Sequence, residues 1–188
     1  MAGKIVLVTG GARSGKSSFA ERYVKTYGRH IAYIATAEAW DDEMRFRIAR
    51  HRQARPAEWT TYEAPHEAGK AIREAGRAHD AILFDCITMY LSNLLCSLSE
   101  CELHDEKKVY EAAADCVAEL IDAAKASGSM VVFVTNEVGA GIVPENPLAR
   151  LYRDIAGLAN QQLAAVSDEA YLIVSGIAVD LHAAAVQL

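Results

Sequence analysis

Residues Gly10, Gly11, Ala12, Arg13, Ser14, Gly15, Lys16 and Ser17 match the spacing G-x-x-x-x-G-K-[ST]. Glycines at these places let successive backbone N–H groups turn inward onto phosphate oxygens. A helix opening at Lys16 would add its positive end. Lys16 is then placed to reach the β and γ phosphates, and Ser17 to ligate Mg²⁺. The same letters could arise as a chance glycine turn, but an apolar run precedes them and a helical pattern follows, which is the context a P-loop requires. The segment predicts a site for ATP or GTP and the transfer of a phosphorus group.

Such a loop needs a carboxylate on a nearby strand to position the metal. Asp85 closes the apolar run Ala81-Ile82-Leu83-Phe84 and fits that role. The plainer reading is a helix cap, since the pattern continues through Thr88 and Leu91. Residues 41–55 are the unusual stretch: Asp41, Asp42 and Glu43 open it, and Arg45, Arg47, Arg50, Arg52 and Arg55 follow. A solvated helix with dipole-matched charge accounts for that distribution. His51 adds a second possibility, because it lies one helical turn from Arg47 and, if the helix continues, from Arg55. Neighbouring positive charge keeps an imidazole neutral, and a neutral imidazole can attack phosphorus. His30, His66, His79, His104 and His182 sit in no such cluster and read as surface residues. Cys86, Cys96, Cys101 and Cys116 form no C-x-x-C pair, so reduced, mostly buried thiols are expected rather than metal ligands.

The elements that must carry these residues alternate. Strand patterns fall at 4–9, 31–36, a weaker 59–63, 80–85, 130–135 and 170–175, several apolar on both faces. Helical patterns fall at 16–27, 41–53, 66–77, 86–98, 105–126 and 147–166. This implies an α/β fold with a doubly wound, mainly parallel sheet. The Gly/Pro-rich segment 136–147 follows a strand and is a candidate wall of the site.

Composition sets the limits. The 188 residues suit one catalytic domain over 1–188. Hydrophobic residues make up 52% and charged residues 23%, and no apolar run approaches the ~20 residues that cross a bilayer. Ile5 to Val8 is too short for a signal peptide, so no stable membrane insertion and a cytoplasmic location are expected. A net charge of −6 argues against nucleic-acid partners.

Read together, GGARSGKS at 10–17, IAT at 34–36, DDEM at 41–44, RIxxH at 47–51, RP at 55–56, TNEVGxGIVPEN at 135–146, RDIAG and NQ within 153–161 and VSG at 174–176 resemble the bifunctional adenosylcobinamide kinase / adenosylcobinamide-phosphate guanylyltransferase family. The resemblance runs nearly the whole chain, and TNEVGxGIVPEN is its most specific part. It implies a RecA-like P-loop NTPase fold, a homotrimer, and two reactions: phosphorylation of adenosylcobinamide, then transfer of GMP from GTP to adenosylcobinamide phosphate through a histidine phosphoramidate. The matching histidine is His51. The family's nucleotide contacts map onto Gly10 to Ser17, Thr36, Ala37, Arg52, Gln53, Ala54, Arg55, Glu63 and Asp85. Two features depart from the pattern. Arg50-His51 stands where some members have two histidines, and the tail after Gly176 carries Asp180 and lacks a lysine often found there.

Three other readings share the P-loop. A single-activity small-molecule kinase would differ only in lacking the guanylyl step. A GTPase switch would read guanine with N-K-x-D, whereas Asn136 is followed by Glu137-Val138-Gly139. A RecA-type motor conflicts with the acidic balance.

Overall fold

The computed structural model describes residues 3–39 and 41–186; for Glu43, Arg47, His51 and Ala54 it describes the backbone alone. In chain order the elements are β1 (Ile5–Gly10), α1 (Lys16–Tyr27), β2 (Ile31–Ala35), α2 (Asp42–Ala54), β3 (Thr60–Glu63), α3 (Ala68–Ala75), β4 (Ala81–Asp85), α4 (Ile87–Ser97), α5 (Glu100–Leu103), α6 (Glu106–Ser127), β5 (Met130–Val134), α7 (Pro147–Val166), β6 (Glu169–Val174), β7 (Ile177–Asp180) and α8 (Leu181–Ala184). The strands form one sheet in the order β3-β2-β4-β5-β1-β6-β7, parallel except for the β6–β7 hairpin.

Side chains that alternate along each strand feed two apolar layers. Ile5, Leu7, Ile82, Phe84, Val131 and Phe133 pack under α3, α4, α6 and α7. Val6, Val8, Leu83, Val132 and Val134 face the other way, against Ala20, Tyr23 and Val24 of α1. Burial on both faces explains why the strands read as continuous apolar runs. Helix starts agree with local chemistry: Asp41 caps α2 through Met44 N, Asp105 caps α6 through Lys108 N, and Asn146 caps α7 with Pro147 in its first turn.

Every strand and helix pattern of the sequence corresponds to an element, with ends shifted by a residue or two. Three short elements carried no periodic signal: α5, β7 and α8. Strand β7 is mostly exposed, so nothing distinguishes Ile177-Ala178-Val179-Asp180 from an apolar tail. The cysteines need one correction. Cys86 is buried and Cys116 half-buried, but Cys96 and Cys101 are exposed, because the end of α4 and the whole of α5 lie on the surface. Among the described residues no three His, Cys, Asp or Glu side chains gather as a metal cage.

Candidate active site

Parallel strands deliver their following loops to one edge of a sheet. Here the edge carries the turn after β1, the segments after β2 and β4, and the long loop after β5. They enclose a cleft of ≈ 630 Å³ lined by Ala12 to Ser18, Tyr33, Ala35, Ala37, Met44, Ile48, Arg55, Glu63, Asp85, Cys86, Met89 and Asn136.

The turn between β1 and α1 is tight. Ser14 N–H donates to Gly11 O at 3.2 Å, and Gly15 caps α1 in the left-handed region, with φ +96°. A Cβ on Gly15 would also stand 3.2 Å from Gly176 Cα, because the β6–β7 turn is pressed against the loop. Gly176 N–H donates to Ser14 O at 2.8 Å, which gives the VSG triplet a structural role. Lys16 is buried, and its Nζ donates to Gly11 O at 3.1 Å. Burial pushes its ammonium below the usual lysine value, opposed by Cys86 and Asp85 nearby. A phosphate entering beside it would favour the charged form again.

Asp85 sits at the end of β4, one strand removed from β1 because β5 intervenes. Its Oδ2 accepts from the Tyr33 hydroxyl at 2.7 Å. Burial, and then the charge of Asp85, hold the Tyr33 phenol well above its ordinary pKa, so it remains a donor. The Arg55 guanidinium lies 3.9 Å from the centre of the Tyr33 ring. Glu63 Oε1 pairs with Arg52 at 3.0 Å and with Arg55 at 3.6 Å. Buried Ser14 Oγ and Arg55 Nε have no protein partner, although both residues line the cleft. Polar atoms in that state are expected where a ligand completes the site.

The sequence candidates thus separate. Ala12 to Ser17, Ala37, Arg55, Glu63 and Asp85 share the cleft, while Gly10 and Gly11 form the turn beneath it. Arg52 and Gln53 line a second hollow of ≈ 560 Å³ that also meets Ala37, Ile48 and Glu63. The side chains of Arg47, His51 and Ala54 lie outside the described residues. Their backbone belongs to α2, and positions 44, 48, 51 and 55 recur at steps of four, three and four. Position 51 therefore falls on the helix stripe from which Met44 and Ile48 line the cleft, and Arg55 lines it from the extended cap just beyond the helix. His30, His66, His104 and His182 are exposed and His79 half-buried, so the surface reading of these five fits.

Thr36 is placed differently from its neighbours. It is fully buried, its Oγ1 donates to Cys86 O at 2.9 Å, and it accepts from Cys86 N–H at 2.8 Å. Its carbonyl accepts from Asn93 Nδ2 at 2.7 Å. Thr36→Val should orphan the buried Cys86 N–H and cost about 1–3 kcal/mol in urea unfolding, with nucleotide Kd changed less than about threefold. A stable variant with weakened nucleotide binding would return the hydroxyl to ligand contact.

Sequence reasoning missed Tyr33, Met44, Ile48, Cys86 and Met89 as cleft residues, whereas Asn136 opens the 136–147 segment expected as a wall. Tyr33 offered a weak signal, a tyrosine near the end of a buried strand, where its hydroxyl must find a partner. Burial pushes the Cys86 thiol up to about 11, which disfavours the reactive thiolate.

A glycine turn between a central parallel strand and a helix, with a buried lysine near a carboxylate from the next strand but one, defines a P-loop nucleotide-binding protein. A solved structure titled as a prototypical ATPase from the type III secretion system of pathogenic bacteria shares this fold, with TM-score 0.56 and 9% identity over 99% of this chain and 59% of that one. Residues 6–181 match the family described as cobinamide kinase / cobinamide phosphate guanyltransferase. The bifunctional adenosylcobalamin biosynthesis protein CobU of Salmonella typhimurium is 47% identical over 94% of this chain and 99% of its own length. CobU of Escherichia coli is 43% identical over the same shares, and CobP of Pseudomonas aeruginosa is 39% identical over 93% of this chain and 95% of its own. The chain belongs to the cobinamide kinase / cobinamide phosphate guanyltransferase family, whose members are bifunctional transferases.

Proposed function

We propose that this protein, acting as one catalytic domain, phosphorylates adenosylcobinamide with ATP or GTP and then transfers GMP from GTP to adenosylcobinamide phosphate through His51. The observation that carries this reading is a single cleft lined both by the P-loop and by the α2 stripe on which position 51 falls.

In the first reaction the substrate hydroxyl oxygen attacks the γ-phosphorus, and the nucleoside diphosphate leaves. Lys16 and the loop amides offset the charge that develops on the phosphoryl oxygens. In the second, a neutral His51 nitrogen attacks the α-phosphorus of GTP. A P–N bond forms, the bond to the bridging oxygen breaks, and pyrophosphate departs. A phosphate oxygen of adenosylcobinamide phosphate then attacks the same phosphorus and releases the histidine, giving adenosylcobinamide-GDP. Arg55, close to Glu63 and Tyr33, supplies positive charge on the α2 side of the cleft.

Mg²⁺ suits the donors present. Asp85 and Ser17 offer one carboxylate and one hydroxyl in a cleft for phosphates, a hard-oxygen set that leaves most ligands to substrate and water. When bound, the ion would neutralise charge on the triphosphate. Asp85→Asn should raise the Mg²⁺ concentration for half-maximal rate about tenfold in both reactions and weaken Mn²⁺ binding read by EPR. Unchanged titrations would assign Asp85 to the Tyr33 contact alone.

The test of the whole reading is product analysis. Protein supplied with adenosylcobinamide, ATP, GTP and Mg²⁺ should yield adenosylcobinamide-GDP and pyrophosphate; accumulation of adenosylcobinamide phosphate alone would leave a single-activity kinase. We further assign the protein to the cytoplasm, where triphosphates are supplied, and no described helix is long and apolar enough to cross a membrane. A homotrimer, which the family resemblance implies, would give cover to exposed Ile142, Val143 and Ile177; light scattering reads its mass directly.

A further inference from the structure

Asn136 follows the strand that separates the P-loop strand from the strand of Asp85. In β5, Val134 is opposite Val8 on one side and Asp85 on the other, so the chain leaving it emerges between the phosphate loop and the carboxylate. Glu137 N–H donates to Gly10 O at 3.0 Å and pins the emerging backbone to the start of the P-loop. The Asn136 side chain lines the cleft together with Lys16, Ser17 and Asp85.

Its amide is held from behind. Nδ2 donates to Thr88 Oγ1 at 2.7 Å, and Thr88 is itself buried. The Asn136 backbone carbonyl accepts from Asn160 Nδ2 at 3.2 Å, and Asn160 Oδ1 accepts from the Thr135 hydroxyl at 2.7 Å. A primary amide carries two N–H donors and one acceptor oxygen. Thr88 takes one donor, which leaves an N–H and the oxygen for the cleft. An orienting network of this kind, fixed before substrate arrives, is what electrostatic stabilisation of a developing charge requires. It also gives a chemical use to the asparagine that begins an incomplete N-K-x-D: it stands at the phosphate end of the site.

We propose that Asn136 is a further catalytic residue of the kinase reaction, donating its remaining N–H to an oxygen of the transferring γ-phosphoryl group. The two reactions separate its effect. In γ-transfer that oxygen belongs to the reacting group, so the bond strengthens as charge shifts. In guanylyl transfer the γ-phosphate is the far end of the leaving pyrophosphate, and a bond there is nearly equal in ground and transition states.

Asn136→Ala and the isosteric Asn136→Asp are to be assayed in the full chain. The kinase reaction is run with adenosylcobinamide and ATP, and guanylyl transfer with supplied adenosylcobinamide phosphate and GTP. The kinase kcat should fall about 100-fold in Asn136→Ala and further in Asn136→Asp, whose carboxylate repels the phosphoryl oxygens. In Asn136→Ala the nucleotide KM and the guanylyl rate should stay within about threefold of the parent. Thr88→Val, which frees the amide, should reproduce part of the kinase loss and add little to Asn136→Ala. Equal falls in both reactions would make Asn136 a support for the P-loop and overturn the proposal, as would an undiminished kinase rate. The inference rests on the P-loop cleft being the kinase site. An active Lys16→Ala enzyme would sink that reading, whereas active Asn136 variants beside an inactive Lys16→Ala would sink this one alone.

Discussion

Lys16→Ala is expected to lower both the kinase and the guanylyl-transfer rates by about 10³-fold or more, the loss typical of removing a principal charge that stabilises phosphoryl transfer. The reason lies in its position as much as its charge. Lys16 is buried, its Nζ already rests on Gly11 O, and Asp85 stands close enough to influence its protonation. A cation held in a water-poor site loses little to reorganisation when the triphosphate arrives. Truncation leaves the phosphates facing Asp85 without that compensation. The fold should survive, because the lysine makes one bond to a loop carbonyl and the sheet beneath is independent of it. Steady-state assays of each reaction, with circular dichroism as the control, decide the matter. A folded variant with near-parental kinase activity would remove the central claim.

His51→Asn is expected to lower guanylyl transfer by about 10⁴-fold or more, the scale seen when a covalent nucleophile is deleted. Kinase activity should remain within about threefold, since γ-transfer to a bound hydroxyl needs positioning and charge but no protein nucleophile. The parent enzyme incubated with GTP alone should carry label from the α-phosphate and none from the γ-phosphate. That label should be lost in acid, kept in base, and absent from the variant, as a phosphoramidate requires. Acid-stable label, or full guanylyl transfer by His51→Asn, would refute the covalent route. Because Arg50 stands beside it in place of a second histidine, no adjacent imidazole can substitute.

Local order was legible in the residues. Gly15 and Lys16 lie next to each other, so the turn and the helix start are decided within a few bonds, and the apolar run before Gly10 could only be a buried strand. The same holds for Asp85, which ends β4 as its run of apolar residues implied. The alternation of strands and long helices sufficed for the α/β class, because each element announces its own period. Strand β7 and helices α5 and α8 escaped because short exposed segments depend on neighbours for their conformation.

Strand order decided the rest. Sequence position says nothing about β5 lying between β1 and β4, yet that insertion brings Asn136 beside Lys16, 120 residues away along the chain. Folding likewise brings the Tyr33 hydroxyl onto Asp85 and Arg55 onto the Tyr33 ring, contacts made between separate elements. It turns the Thr36 hydroxyl into the protein while its neighbour Ala37 faces the cleft, a choice set by the partner that Cys86 offers on the adjacent strand end. Residue types with local geometry determine which chemistry is available; long-range pairing of strands, driven by burial on both faces of the sheet, determines which side chains meet to perform it.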